Sequence, residues 1–185
     1  MSVIETVAVA TGVLYVILAV RSSIWCWGFG IVSALAYIIF DLQLKYFQDA
    51  ILQSYYVFAG VYGWVLWSKK DGGSGTLQIN SWSFSKQIPF LIFGFLLFPI
   101  MGFLFSKVGN SYSYLDAFTT VFSFIATYFT TKKIVENWLW WIVLDMIFIV
   151  QYFLKEAYLT SGLFLFFTLV AIWGYYEWKK QIRVA

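Results

Sequence analysis

Seven long apolar runs, separated by short charged or glycine-rich breaks, take up most of the chain. They span roughly 3–20, 24–44, 47–68, 88–106, 114–131, 136–154 and 157–178. A bilayer core takes about 20 mostly apolar residues per helix, with a range of about 17–25, and each run has that length. The chain is 62% hydrophobic and only 11% charged, whereas soluble domains are about 25% charged. A water-soluble fold of 185 residues could not bury so much apolar surface. The expected class is therefore an all-α polytopic membrane protein with seven transmembrane helices. Residues 1–20 lack the basic start and small-residue cleavage site of a signal peptide, so the first run reads as a true span.

Several function classes drop out at once. There is no histidine, and Cys26 is the single cysteine. That leaves no material for a Ser/His/Asp triad, a His base or a clustered Cys/His zinc site. Cys26 reads as a small buried hydrophobe. No catalytic residues, metal or cofactor are expected. A net charge of +3 is too small to imply a nucleic-acid partner; the cations instead report topology. Arg21, Lys69, Lys70, Lys86, Lys132, Lys133, Lys179, Lys180 and Arg183 fall on one side, and Lys45, Lys107 and Lys155 on the other. The positive-inside rule then puts the C-terminus and the 69–86 connection in the cytoplasm and the N-terminus outside. The stretch KKDGGSGTLQINSWSFSK (69–86) reads as a flexible loop.

The chain also resembles itself. A shift of 111 positions places Arg21 on Lys132, Trp27 on Trp138, Gly63 on Gly174, Trp67 on Trp178 and Lys69 on Lys180, without a gap. Spans 1–3 and 5–7 thus read as two copies of a three-helix unit with the same orientation, joined by span 4. The division expected is 1–68, a loop 69–86, a linking helix within 87–112 and a second unit 113–185. This 3+1+3 plan is a parallel repeat, as in SWEET-type sugar transporters, and such folds bind substrate near the midplane between the copies.

The candidate site residues follow from that placement. In ENWLWWIVLD (136–145), Trp138, Trp141 and Asp145 are spaced i, i+3 and i+7 and share one helix face. A charged Asp at mid-span costs about 2.5–3.5 kcal/mol, so such a residue is a functional candidate. Either Asp145 is protonated or hydrogen-bonded to a neighbouring helix, or it faces a wet cavity and holds a polar or cationic ligand. Trp141 could present its π face to a cation. Trp25, Trp27, Trp67, Trp138 and Trp178 lie near span ends, where an interfacial belt is the default reading. In span 3, Gln53, Tyr56, Gly60, Gly63 and Trp64 fall near one face; Gln53 could read a ribose hydroxyl or an amide, and the glycines admit a ligand or a neighbouring helix. Trp64 suits packing as well as binding. Asp116, Thr119, Thr120 and Ser123 form a polar strip in span 5, with Ser123 the binding candidate and Asp116 near the interface. Asp41 reads as a solvated rim residue.

These segments carry a family resemblance. LQSYYVFAGVYGWVLW in span 3, TTKKIVENWLWWIVLD and EAYLTSGLFLFFTLVAIWGYYEW resemble the PnuC-type vitamin transporters over nearly the whole chain. Within the second, W-x-x-W-x-x-x-D is similar to the family's W-x-x-W-x-x-x-N/D. The resemblance implies a SWEET-like fold, a homotrimer in the inner membrane, and facilitated diffusion of a vitamin that a cytosolic kinase traps by phosphorylation. It carries substrate contacts onto Gln53, Trp138, Trp141, Asp145 and Ser123. Members associated with nicotinamide riboside often have Asn where Asp145 and Gly60 stand, which shifts the expectation slightly toward thiamine, with nicotinamide riboside next. Both contain a positive ring that suits a carboxylate beside tryptophans. Riboflavin, deoxynucleosides and sugars are more remote alternatives. An integral-membrane enzyme would need chemistry that the chain lacks, and a non-transporting subunit would leave a mid-membrane Asp unexplained.

Overall fold

Apolar runs in hydrocarbon must satisfy their own backbone, which leaves helices as the local solution. The computed structural model describes residues 3–43, 47–71, 75–107, 112–154, 156 and 158–184, and the protein is all-α apart from one short hairpin. The helices are α1 (Val3–Val20), α2 (Trp25–Gln43), α3 (Phe47–Ser68), α4 (Phe84–Lys107), α5 (Ser113–Thr131), α6 (Asn137–Leu154) and α7 (Tyr158–Val184). Four of them, α1, α2, α4 and α6, are each long and apolar enough to cross a membrane. α5 carries an interior polar face, burying Thr119, Thr120, Ser123, Thr127 and Thr130.

Six helices close a ring. α1 packs on α2, α2 on α3, α3 on α5, α5 on α6, α6 on α7, and α7 returns to α1; α4 stands outside against α5. The outer faces are apolar, with Leu14, Leu35, Phe58, Leu96, Val143 and Leu169 all exposed, as lipid-facing positions require.

The turns that follow α1 and α5 are built alike. Ser22 at the end of α1 and Lys133 at the end of α5 both take positive φ, 54° and 52°. Ser22 N–H donates to Ala19 O and Ser23 N–H to Leu18 O; 111 residues on, Lys133 N–H donates to Thr130 O and Ile134 N–H to Phe129 O. This double bond pattern around a left-handed residue is the Schellman cap. Below it, Cys26 and Trp27 bond Ser23 and Ile24, as Asn137 and Trp138 bond Ile134 and Val135.

Two sequence expectations need correction. The 69–86 connection is not simply a flexible loop. β1 (Lys70–Asp71) pairs with β2 (Gly75–Thr76), and α4 begins at Phe84, inside the expected loop. Asn80 forms a bridge with the α5–α6 turn: its N–H donates to Lys133 O, and its carbonyl accepts from Val135 N–H. Glu136 clamps the next two residues, accepting from the Ser81 hydroxyl at 2.5 Å and from Trp82 N–H at 2.9 Å. Polar composition alone could not reveal these distant partners. The tryptophan belt is the second correction. Of the five, Trp27, Trp67, Trp138 and Trp178 are buried and Trp25 is well exposed, because the four turn inward as a cluster. Trp27 meets Trp67 edge-on at 5.2 Å and Trp138 meets Trp178 likewise at 5.3 Å, with Trp67 and Trp178 in contact at 6.2 Å. Lys133 lies over the Trp67 ring at 4.4 Å, and burial pushes its ammonium below the usual lysine range. Lys45 and Lys155, used in the charge count, lie outside the described residues.

Candidate functional site

The ring encloses a cavity of about 1330 Å³, lined by residues of every helix except α4. Its inner floor is Trp27 and Trp138, with Ala19 and Ala171 beside them, and the buried Trp67 and Trp178 close the bundle behind that floor. From there it extends to the ends where α1, α3 and α5 begin, lined by Glu5, Asp49 and Asp116.

Asp145 lies on this cavity and is 4% exposed. Tyr56 of α3 is its electrostatic neighbour, and among the described residues no hydrogen bond or ion pair reaches its carboxylate. An acid so buried is costly unless a partner arrives. One turn earlier on α6, Trp141 lines the same wall and is anchored by a polar chain. Its indole N–H donates to Thr130 Oγ1 at 3.4 Å; the Thr130 hydroxyl lies 3.1 Å from Asn137 Oδ1 and 3.0 Å from Ala126 O; the Asn137 amide donates to Ile134 O at 2.5 Å. Asn137 and Thr130 therefore hold the Trp141 ring in place. Neither residue stood out in the sequence, where a helix-starting Asn and a helical Thr look like ordinary caps and back-bonds.

Six of the eight expected residues, Asp145, Trp141, Trp138, Gln53, Tyr56 and Gly60, line the cavity; Trp64 and Ser123 do not. Trp64 points the other way, against Gly28 and edge-on to Trp25 at 5.6 Å. Ser123 is fully buried behind Tyr56, its hydroxyl neighbour. Gly60 also serves packing, since a Cβ there would come within 2.7 Å of Ile31. Trp138 has a structural part too, because Gly174 lets its ring lie against α7. Asp41 is no solvated rim residue: it is 6% exposed and lines the cavity, because the end of α2 turns it toward the ring interior. Asp116 likewise faces inward and accepts from the Gln151 amide of α6.

Charge sorts cleanly. Glu5, Asp41, Asp49, Asp116 and Asp145 line the cavity, and among the described residues no lysine or arginine does. No group of three acidic residues there is spaced to hold a metal ion. The arrangement suits an organic cation large enough to bridge separated acceptors, with aromatic faces to receive it.

The chain is similar to known proteins over nearly its whole length. Residues 2–180 match a family described as nicotinamide mononucleotide transporter. The chain is 24% identical to the nicotinamide riboside transporter PnuC of Escherichia coli (strain K12) over 209 aligned residues, covering 99% of this chain and 87% of that protein. The Shigella flexneri protein of the same name shows the same figures. A crystal structure of the vitamin B3 transporter PnuC superposes with a TM-score of 0.81 at 18% identity, covering 97% of this chain and 82% of that one.

Proposed function

This chain belongs to the nicotinamide mononucleotide transporter family, and from that premise we propose that it is a membrane facilitator for a cationic B vitamin or vitamin precursor. The observation that carries this reading is Asp145, buried, with no hydrogen bond or ion pair from the described residues, and one turn from the anchored face of Trp141. A fixed positive charge in a flat ring would satisfy both. A phosphomonoester would not, because the described lining offers neither ammonium nor guanidinium to a dianion.

Thiamine is the favoured substrate, since its thiazolium ring pairs with a carboxylate and needs no amide at position 145 or 60. Nicotinamide riboside is the second reading, supported by the names of the relatives. Transport is uncoupled, and a cytosolic kinase traps the vitamin. Two three-helix units with α4 as linker make a 3+1+3 parallel repeat, supported by the cap geometry that recurs 111 residues apart. The protein works as a homotrimer in the inner membrane, with its N-terminus outside.

Uptake of labelled thiamine and nicotinamide riboside into proteoliposomes, with and without an enclosed vitamin kinase and ATP, tests this. Accumulation should require the kinase and no ion gradient; dependence on a proton or sodium gradient would rule out the uncoupled mechanism. Asp145→Asn should weaken thiamine binding about tenfold, equivalent to ~1.4 kcal/mol, read by tryptophan fluorescence. Unchanged binding would remove Asp145 from the site.

A further inference from the structure

The far half of the cavity is furnished as carefully as the half around Asp145. Gln151 lies six residues beyond Asp145 on α6, about 9 Å along the axis at about 1.5 Å per residue. Its amide N–H donates to Asp116, which leaves Oε1 buried with no hydrogen-bond partner. Asp41, on α2, has its Oδ2 buried and equally unpartnered. Both residues are more than nine-tenths buried and both line the cavity. Two orphan acceptors at one end of a cavity are expensive unless a donor visits them.

An aromatic wall stands in the same half. Phe148 stacks on Phe164 at 4.6 Å, and Tyr152 stacks on Phe164 at 5.3 Å with only 11° between the planes; all three line the cavity. Asp41, Asp49 and Asp116 are all electrostatic neighbours of Tyr152, so the acids and the wall belong to one locale. The acids are too dispersed to chelate a metal ion. Acceptors, negative field and a flat apolar wall together describe a receptor for an aromatic organic cation bearing N–H donors.

We propose that this half is a second cation-binding subsite, in which Asp41 and Gln151 accept hydrogen bonds from an aromatic cation seated on the Phe148–Phe164–Tyr152 wall, ahead of Asp145 on the transport path. Its place on the path rests on the transport reading above; its existence as a binding site does not. At this subsite the incoming ion exchanges water for protein acceptors before it reaches the deeper carboxylate, and neutral analogues gain little.

Benzamidinium, an aromatic cation with N–H donors, and neutral benzamide are the probes, titrated calorimetrically into the purified full chain. The wild-type protein should bind benzamidinium at two sites. Asp145→Asn should abolish the inner one and keep the outer. Asp41→Asn and Gln151→Met should each weaken the outer one about fivefold or more, with benzamide affinity unchanged, and thermal melting confirms that each variant is folded. A wild-type protein whose benzamidinium binding depends on Asp145 alone, or outer binding indifferent to both Asp41→Asn and Gln151→Met, would overturn the proposal. Failure of vitamin uptake alongside Asp41-dependent benzamidinium binding would instead refute the transport reading and leave the subsite standing.

Discussion

Trp138 and Trp141 are one turn apart on α6 and face the same cavity, yet they depend on different partners. Trp138 is wedged edge-on against Trp178 with Gly174 beneath it, so its ring belongs to the core. Trp141 is half-buried and held by one indole hydrogen bond to Thr130. Trp138→Ala should therefore destabilise the fold by about 3–5 kcal/mol, the usual cost of emptying a large aromatic site. Trp141→Ala should cost far less stability and mainly reduce affinity for the cationic substrate. Thermal denaturation in detergent paired with a binding titration separates the two; equal losses of stability would contradict the division of roles. The difference follows from what each ring touches, because spacing along the helix makes the two residues look equivalent.

At the scale of elements, α2 joins α3 and α6 joins α7 by the same device. A glycine on α3 or α7, Gly63 or Gly174, admits the tryptophan in the first turn of α2 or α6, Trp27 or Trp138. A Cβ at Gly63 would overlap the Trp27 ring, and one at Gly174 would come within 2.6 Å of Trp138. A buried indole has no flexible end that could yield. Gly63→Ala and Gly174→Ala should each destabilise by about 1–3 kcal/mol, the range for overpacking a filled core. Gly162→Ala is the control, since nothing lies within 4 Å of its Cβ position, and the gain in helix propensity makes it neutral or slightly stabilising. Melting curves of the three variants check the pattern, which fails if Gly162→Ala is the most damaging. The caps preceding these helices are also paired, with Ser22 and Lys133 both held left-handed at a cost of about 1–2 kcal/mol where glycine would be free of strain.

At the scale of the molecule, α3 is tied to the end of α5 and α7 to the end of α1 by matching bonds across the bundle. Trp67 of α3 donates to Thr131 O at the end of α5, at 3.0 Å. Trp178 of α7 donates to Val20 O at the end of α1, also at 3.0 Å, and to Ala19 O at 3.1 Å. Each indole thus satisfies the carbonyl at the end of a helix distant in sequence, and the two rings lie in contact. Trp67→Phe and Trp178→Phe should each cost about 1 kcal/mol, and the double variant should depart from additivity by about 0.5 kcal/mol or more because the rings touch. A double-mutant cycle on thermal stability measures that coupling, and strict additivity would mean that the two ties act independently.

Seven helices were legible in the sequence, because an apolar run of bilayer length is a local property and needs no partner to be recognised; the start of α4 at Phe84 and the end of α7 at Val184 lie beyond the apolar runs that signalled them. The 111-residue spacing was legible for a similar reason: Trp, Gly and Lys are few enough in kind to align by eye. The inward face of α6 could be read from the i, i+3, i+7 spacing, and with it Asp145, Trp141 and Trp138. What the sequence could not supply was direction at the helix ends. Position along a span reports depth in the membrane and says nothing of the angle around the axis. Asp41 and four of the terminal tryptophans therefore read as rim and belt, although they point into the ring. Trp64 read as an inner candidate, although it packs against Gly28 of α2 and away from the cavity. Tertiary packing alone decided those angles, because each is set by contacts between residues as far apart as Val20 and Trp178. It brought Asp41 on α2 and Gln151 on α6 to one cavity, and it turned a polar connection into a strap pinned by Glu136.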